Sequence, residues 1–537
     1  MHVTVDDKTV RGSGEMIDEL VGQLVWAFIS SKDDLESAEH ATRKGHVSGV
    51  WLLPTEMRSP AETAGLIDRF QAASPRPLLV GVDAEAGLGL VMSGATQLPT
   101  AMALGAAGDP QLVREAAAVT AAEASACGIN TVAAPVLDVN LNPANPIINT
   151  RAFGGSPDLV ARLGTAFIAE LQAGTDSLPK VLPIAKHFPG HGDTTQDSHL
   201  HLDTVNQPRA RLEEVELPPF RAAIAADVPM LMTAHVAYPA LDPTDTPATL
   251  SRPILTELLR DELGFQGAVV TDCMNMHAVA HNFDDREAAV RSVLAGCDLV
   301  LTHRWVSVYE ALLQAVLEGD LPEARLRQAA ERVRRVKASL FGPDLARPQP
   351  IDVRAAQARV GTAAHTAVAD RIALASITVV DGAPTPPTGR PLIMATRMAR
   401  RFGPSVEVQL RAALAAAGWE AADVLMLDPM PDAMQIQEAV EHARAADWAA
   451  LLHFNRVQSF DPDAVLVDDE LVALADRVSD ANVPVTVVSM GSPYALSRFA
   501  RARARLCSYS TCDASVRATL RILKGQADPV GRLPVQL

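Results

Sequence analysis

Several things are scarce in this chain, and each shortage removes a class of function. Five cysteines, at 127, 273, 297, 507 and 512, are scattered, odd in number and free of any CxxC pair. That pattern argues against a disulfide framework and against a thiolate zinc site, and it fits a reducing compartment, so the expected location is the cytoplasm. No uninterrupted apolar run approaches membrane-spanning length, and MHVTVDDKTVRGSGE at the start lacks a basic stretch followed by an apolar core. Neither a membrane span nor a leader is expected. Positive charge is also in deficit: the net charge is −17 and the pI about 5.3. A phosphate backbone needs a basic face to displace counterions, so nucleic acid is not an expected partner. GxGxxG and GxxxxGK[ST] follow none of the apolar runs, and neither HExxH nor GxSxG occurs. No cofactor is therefore indicated.

What is present is an alternation of short apolar runs with helix-like segments. Across 537 residues that are 48% hydrophobic, two or three domains are expected. The first eight runs are GQLVWAFIS (22–30), HVSGVWLLP (46–54), RPLLVGVDA (76–84), INTVAAPVLDV (129–139), VLPIAKHF (181–188), VPMLMTAH (228–235), GAVVTDCM (267–274) and DLVLTHR (298–304). Segments such as 112–126 and 158–172 carry apolar residues at helical spacing. Strands buried on both faces read as continuous apolar runs because helices cover a parallel sheet. Eight βα units in roughly 320 residues predict a (β/α)8 TIM-like barrel. Beyond it, FGPDLARPQPID (341–352) reads as a linker, and 354–372 as one helix strapping two domains together. A second alternation over 376–537 predicts an αβα sandwich of five or six strands. The expected division is a barrel over 1–340, linker and strap over 341–375, and a sandwich over 376–537.

Ionisable residues fall at or just past the C-terminal ends of the first-domain runs: Asp83, Asp138, Lys186 with His187, His235, Asp272 and His303. A barrel gathers such residues on the rim that holds the active site. The densest stretch, VLPIAKHFPGHGDTTQDSHLHLD (181–203), adds His191, Asp193, Asp197, His199 and His201 on a Gly/Pro-broken loop. Three chemistries compete for these groups. A zinc site from His187 with His191, or His199 with His201, plus Asp193 or Asp83, has the ligand types, but its histidines straddle Pro189 and Gly190 on a loop. Cysteine catalysis by Cys273 is opposed by Asp272 beside it, which raises the thiol pKa. For glycoside chemistry, Asp272 at a strand end is a fixed carboxylate nucleophile, and Asp197-Ser198-His199 supplies a carboxylate-oriented imidazole as proton donor. The competing reading of that triplet is a turn with local hydrogen bonds.

KHFPGHGDTTQDSH (186–199), GFQGAVVTDCMNM (264–276), VGVDAEAG (80–87), APVLDVN (134–140) and TAHVAYP (233–239) resemble the signature segments of glycoside hydrolase family 3, in its β-N-acetylglucosaminidase branch. MGSPYAL (490–496) and GRLPVQL (531–537) are similar to the end of that family's second domain. The resemblance implies a retaining, exo-acting β-N-acetylglucosaminidase with Asp272 as nucleophile and His199, partnered by Asp197, as general acid/base. Asp83, Arg151 (in NTRAFG), Lys186 and His187 match positions that grip the sugar. The partner implied is a small carbohydrate, with cell-wall fragments and chitin-derived sugars as alternative sources. A β-glucosidase of the same family is an alternative, and so is a phosphorylase, because an imidazole does not repel inorganic phosphate as a carboxylate would. Two departures stand out. Leu88 and Val91 occupy a segment where the branch usually has arginines, and Cys273 replaces a second aspartate. His191 and His201 receive no role.

Overall fold

The structure is a computed structural model that describes residues 16–55, 57–174, 180–384, 388–398, 405–419 and 422–537; the N-terminal stretch read above for targeting signals lies outside them. Eight parallel strands follow one another in chain order: β1 (Val25–Ile29), β2 (Gly49–Leu52), β3 (Leu79–Val82), β4 (Thr131–Val132), β5 (Leu182–Phe188), β6 (Met230–Thr233), β7 (Ala268–Val270) and β8 (Val300–Thr302). β8 pairs with β1, and a parallel bridge between Val270 and Leu299 brings β7 to β8, so the sheet is a nearly closed barrel.

Alternation along each strand divides the side chains between two packed layers. Trp26, Phe28, Trp51, Leu79, Ala133, Leu182, Ile184, Met230, Met232, Val270 and Leu301 form one cluster that fills the barrel. Their neighbours Val25, Ala27, Val50, Val80, Ala185 and Leu231 pack outward among the helices. The Trp26 and Trp51 rings meet edge-on with centroids 5.2 Å apart. Gly81 makes room for both, since a Cβ there would come within 2.4 Å of the Trp51 ring. Helix starts are written locally. Ser156 accepts from Leu159 N and Asp109 from Gln111 N, each directly before a proline at the first helical position.

Two expectations are modified. The fourth apolar run yields only a two-residue strand, because Pro135 cannot donate to the ladder and only Val136 makes a further bridge, to Lys186. The strap is two helices, Val353–Arg359 and Ala363–Ser376, rather than one. Gly361 separates them with φ 66°, where an added Cβ would lie 2.1 Å from Gly94 O. That turn lets Gly361 N–H and His365 Nδ1 reach the buried Glu123 carboxylate at 2.9 and 2.8 Å, which joins the strap to the barrel.

The second sheet holds β9 (Thr378–Gly382), β10 (Pro391–Thr396), β11 (Asp423–Leu427), β12 (Trp448–His453), β13 (Val485–Ser489) and β14 (Ala504–Cys507). Their order is β9-β14-β13-β12-β10-β11, parallel except for the antiparallel edge strand β9. Strand order therefore reverses between β10 and β12. The loops leaving β12 and β13 face the barrel: Tyr494 OH accepts from Asn140 Nδ2 at 2.8 Å, and Val457 packs against Val136, Ile147, Ile148 and Ala152.

Away from the rim, Asp298 is fully buried and meets Arg260, Arg325 and Arg332 at 2.7, 3.0 and 3.2 Å. It also accepts from Val269 N at 3.0 Å, which ties the cluster to β7. Removing one partner of such a buried ion pair leaves uncompensated charge and typically costs about 3–5 kcal/mol.

Candidate active site

The C-terminal ends of β3, β5 and β7 supply the floor. Asp83 directly follows β3; its Oδ1 accepts from Lys186 Nζ at 2.8 Å and its Oδ2 from Trp51 Nε1 at 3.2 Å. Lys186 is buried and also contacts Glu85 Oε1 at 2.7 Å. Arg151 closes the group, gripping Glu85 in a fork through Nε and Nη2 at 2.9 and 2.8 Å while Nη1 donates to Ile147 O. Burial disfavours each of these charges, but their mutual attraction prevails. The Glu85 carboxyl is held well below the usual range by Arg151 and Lys186, and Lys186 is held up by Asp83 and Glu85. Sequence reasoning named Asp83, Arg151 and Lys186 but passed over Glu85. Its signal was its place two residues beyond Asp83; its role depends on a lysine from β5 and an arginine from the short helix Asn149–Arg151 converging there.

Asp138, fully buried, orients two histidines. Its Oδ2 lies 2.7 Å from His187 Nδ1, and its Oδ1 accepts from the backbone N–H of His187 and of His191. The short contact between Asp138 Oδ2 and Nδ1 sets the orientation of the His187 ring. His191 is a structural pin: its ring bonds Thr194 Oγ1 and Ser198 Oγ at 2.9 and 3.0 Å. Burial and the neighbouring His187 push its pKa down to about 4. The glycines of this loop serve close packing. A Cβ at Gly192 would lie 2.0 Å from Val139 O, and one at Gly190 would strike the Glu216 side chain.

Asp272 stands two residues past β7, with Oδ1 accepting from Cys273 N at 2.7 Å. Desolvation alone would raise its carboxyl, yet His235, His187, Lys186 and His199 bring it down to about 2. Burial pushes the adjacent Cys273 thiol up to about 12, with Asp272 adding to the shift, so that sulfur carries no thiolate near neutrality. His235 is tied to Thr249 Oγ1 and Cys273 O, and the His303 backbone N–H donates to Asn275.

The loop after β5 brings the Asp197–His199 pair over this floor. His199 Nδ1 lies 2.6 Å from Asp197 Oδ1, which also accepts from His199 N at 2.9 Å. Asp197 Oδ2 accepts from the backbone N–H of Phe460, in the second domain, at 2.9 Å. Despite burial, these donors hold the Asp197 carboxyl below its ordinary value. The competing reading, a local turn, describes the backbone bond alone; the ring bond makes the same segment a carboxylate–imidazole couple. Asp193 is engaged by Gln207, and His201 is exposed to solvent. Among the described residues, no three His, Cys, Asp or Glu side chains converge as a metal site.

The geometry thus sets a strand-end carboxylate near the Lys186 ammonium and the His187, His199 and His235 imidazoles, beside a network of buried polar groups. Residues 16–336 match the glycosyl hydrolase family 3 N-terminal domain, and residues 277–537 match that family's C-terminal domain. A beta-N-acetylglucosaminidase/beta-glucosidase of Cellulomonas fimi is 29% identical over 98% of this chain and 94% of its own length. A beta-hexosaminidase of Alkalilimnicola ehrlichii is 35% identical over 53% of this chain and 82% of its own. Among solved structures, a glycoside hydrolase family 3 beta-N-acetylglucosaminidase from Paenibacillus sp. str. FPU-7 superposes with a TM-score of 0.87 at 32% identity, covering 98% of this chain and 99% of that one.

Proposed function

The chain belongs to glycosyl hydrolase family 3, and from that premise we propose that it is a retaining, exo-acting β-N-acetylglucosaminidase that removes terminal N-acetyl-β-D-glucosamine by double displacement. The observation that carries the reading is the pairing of an ionised Asp272 at the end of β7 with the Asp197–His199 couple on the loop after β5. Asp272 attacks the anomeric carbon while protonated His199 delivers its Nε2 proton to the departing oxygen. A covalent glycosyl–Asp272 forms as the aglycone leaves. Neutral His199 then takes a proton from the incoming acceptor, whose oxygen displaces Asp272 and restores the β configuration. Asp197 holds Nδ1–H throughout and stabilises the imidazolium.

Asp83, Arg151, Lys186 and His187 bind the sugar hydroxyls. Lys186 and Arg151 are already neutralised by Asp83 and Glu85, so they act as positioned donors rather than as loose charges. A site built on paired polar groups rejects sugars that leave those groups unpartnered. We further propose the division into a barrel over 1–340, a strap over 341–375 and a sandwich over 376–537. Five free, buried cysteines support a reducing, cytoplasmic setting, where fragments from cell-wall recycling or chitin breakdown would be the substrate source.

The test is turnover of p-nitrophenyl N-acetyl-β-glucosaminide against the matching β-glucoside, with the product anomer followed by NMR and with inorganic phosphate added or withheld. The expected result is preference for the N-acetylated sugar and first release of the β anomer. An α product would overturn double displacement, and equal rates on both sugars would overturn the N-acetyl assignment. The imidazole donor also permits an anionic acceptor. Faster turnover with phosphate, yielding the sugar 1-phosphate, would identify the acceptor as phosphate; no phosphate effect identifies it as water.

A further inference from the structure

We infer that Phe460, on the loop leaving β12 of the sandwich, is a positioning residue for the Asp197–His199 pair, so that the barrel's proton donor is set from the second domain. The inference rests on the reading of His199 as general acid and adds the group that holds it in place. Two contacts from one residue carry it. The Phe460 backbone N–H donates to Asp197 Oδ2 at 2.9 Å, and its ring meets the His199 imidazole at 5.0 Å between centroids with the planes 62° apart. Asp197 Oδ1 is already occupied by His199, so Phe460 supplies the bond that satisfies the second oxygen of a buried carboxylate.

Packing does not explain the ring's position. Phe460 is 62% exposed and has φ 67°, a left-handed conformation unfavourable for an aromatic residue. It sits in a tight turn closed by an antiparallel bridge between Gln458 and Asp461. Three residues before it, Val457 anchors the loop on Val136, Ile147, Ile148 and Ala152 beyond β4. A strained, exposed aromatic held at one point by a loop anchored on the opposite domain is what a fixed contact requires. Without it, Asp197 keeps side-chain bonds, among the described residues, only to His199 itself, and the pair loses its hydrogen bond to the second domain. Proton transfer needs hydrogen-bond reach in the reacting pose, and misplacement by about 1 Å can cost a hundredfold.

The experiment uses the full chain with two variants. Phe460→Gly removes the ring, keeps the N–H and accepts the positive φ. Replacing residues 458–462 with a Gly/Ser segment of equal length removes the ring and releases the turn that aims the N–H of residue 460 at Asp197. The readout is kcat/KM across N-acetyl-β-glucosaminides whose aglycones range from dinitrophenolate to a second sugar, alongside thermal melting. For Phe460→Gly the loss for the sugar aglycone should exceed that for dinitrophenolate by about tenfold, with melting unchanged or raised because the strain is relieved. The loop replacement should widen that gap toward the behaviour of His199→Ala. Equal losses for all aglycones, or an effect confined to KM for one of them, would overturn the inference while the function stands. If His199→Ala itself shows no dependence on the leaving group, the acid assignment fails and this inference fails with it.

Discussion

Replacing Asp272 by asparagine or glycine should abolish turnover of a chromogenic N-acetyl-β-glucosaminide, lowering kcat by a factor on the order of 10⁴–10⁶, the range seen when a catalytic nucleophile is removed. No neighbour can take over the attack. Cys273 is a buried thiol held at about 12, and Asp83 is committed to Lys186 and Trp51. Asp272 is fixed by the end of β7 and by Cys273 N–H, and the cations around it keep it ionised down to about pH 2. The acidic limb of the wild-type pH profile should therefore not arise from this carboxyl above that pH. Asparagine keeps shape and the Cys273 bond, so circular dichroism should show a folded protein. Residual activity within tenfold of wild type would remove Asp272 as nucleophile.

His199→Ala should divide substrates by leaving group. Aglycones that need a proton should lose about 10²–10⁴-fold in kcat/KM, and dinitrophenolate, which departs without one, far less. Deglycosylation also loses its base, so an activated substrate should accumulate glycosyl-enzyme, and azide, which needs no deprotonation, should restore turnover and yield the β-glycosyl azide. Asp197→Asn should fall between wild type and His199→Ala, because an amide can present its N–H to Nδ1 and stabilise the wrong tautomer. Equal losses for good and poor leaving groups, with no azide effect, would assign the proton to another residue.

The parts legible in the sequence and the parts that were not differ for physical reasons. All eight barrel strands lie within the apolar runs, because strands buried on both faces must be apolar. The ionisable groups ending six of the runs lie on one rim, because parallel strands share a direction. Where the reading overreached, one residue changed the local rule: Pro135 cut β4 short, and Gly361 broke the strap helix to serve a buried glutamate. In the site, Asp272, Lys186 and His187 announce themselves as polar groups ending apolar strands, whereas Arg151 comes from a short helix after β4 and was reached only through family resemblance. Glu85 and Asp138 were visible as letters. Their roles, neutralising two cations and orienting two histidines, depend on contacts across at least 49 residues of chain. Phe460 is 263 residues from Asp197, and its contribution is a backbone N–H that every non-proline residue possesses. The stretch FNRVQSFDPD (454–463) carried no local sign of it.

A covalent intermediate on Asp272 distinguishes double displacement from every other route, and it can be trapped. Wild-type enzyme would be incubated with an activated 5-fluoro-N-acetylglucosaminyl fluoride, then weighed intact and sequenced after proteolysis. The account predicts one added N-acetyl-fluoroglucosaminyl unit, placed on Asp272 and absent from Asp272→Asn. An adduct on another carboxylate would contradict it, as would no adduct together with strong inhibition by a thiazoline analogue, the signature of attack by the substrate's own acetamido group.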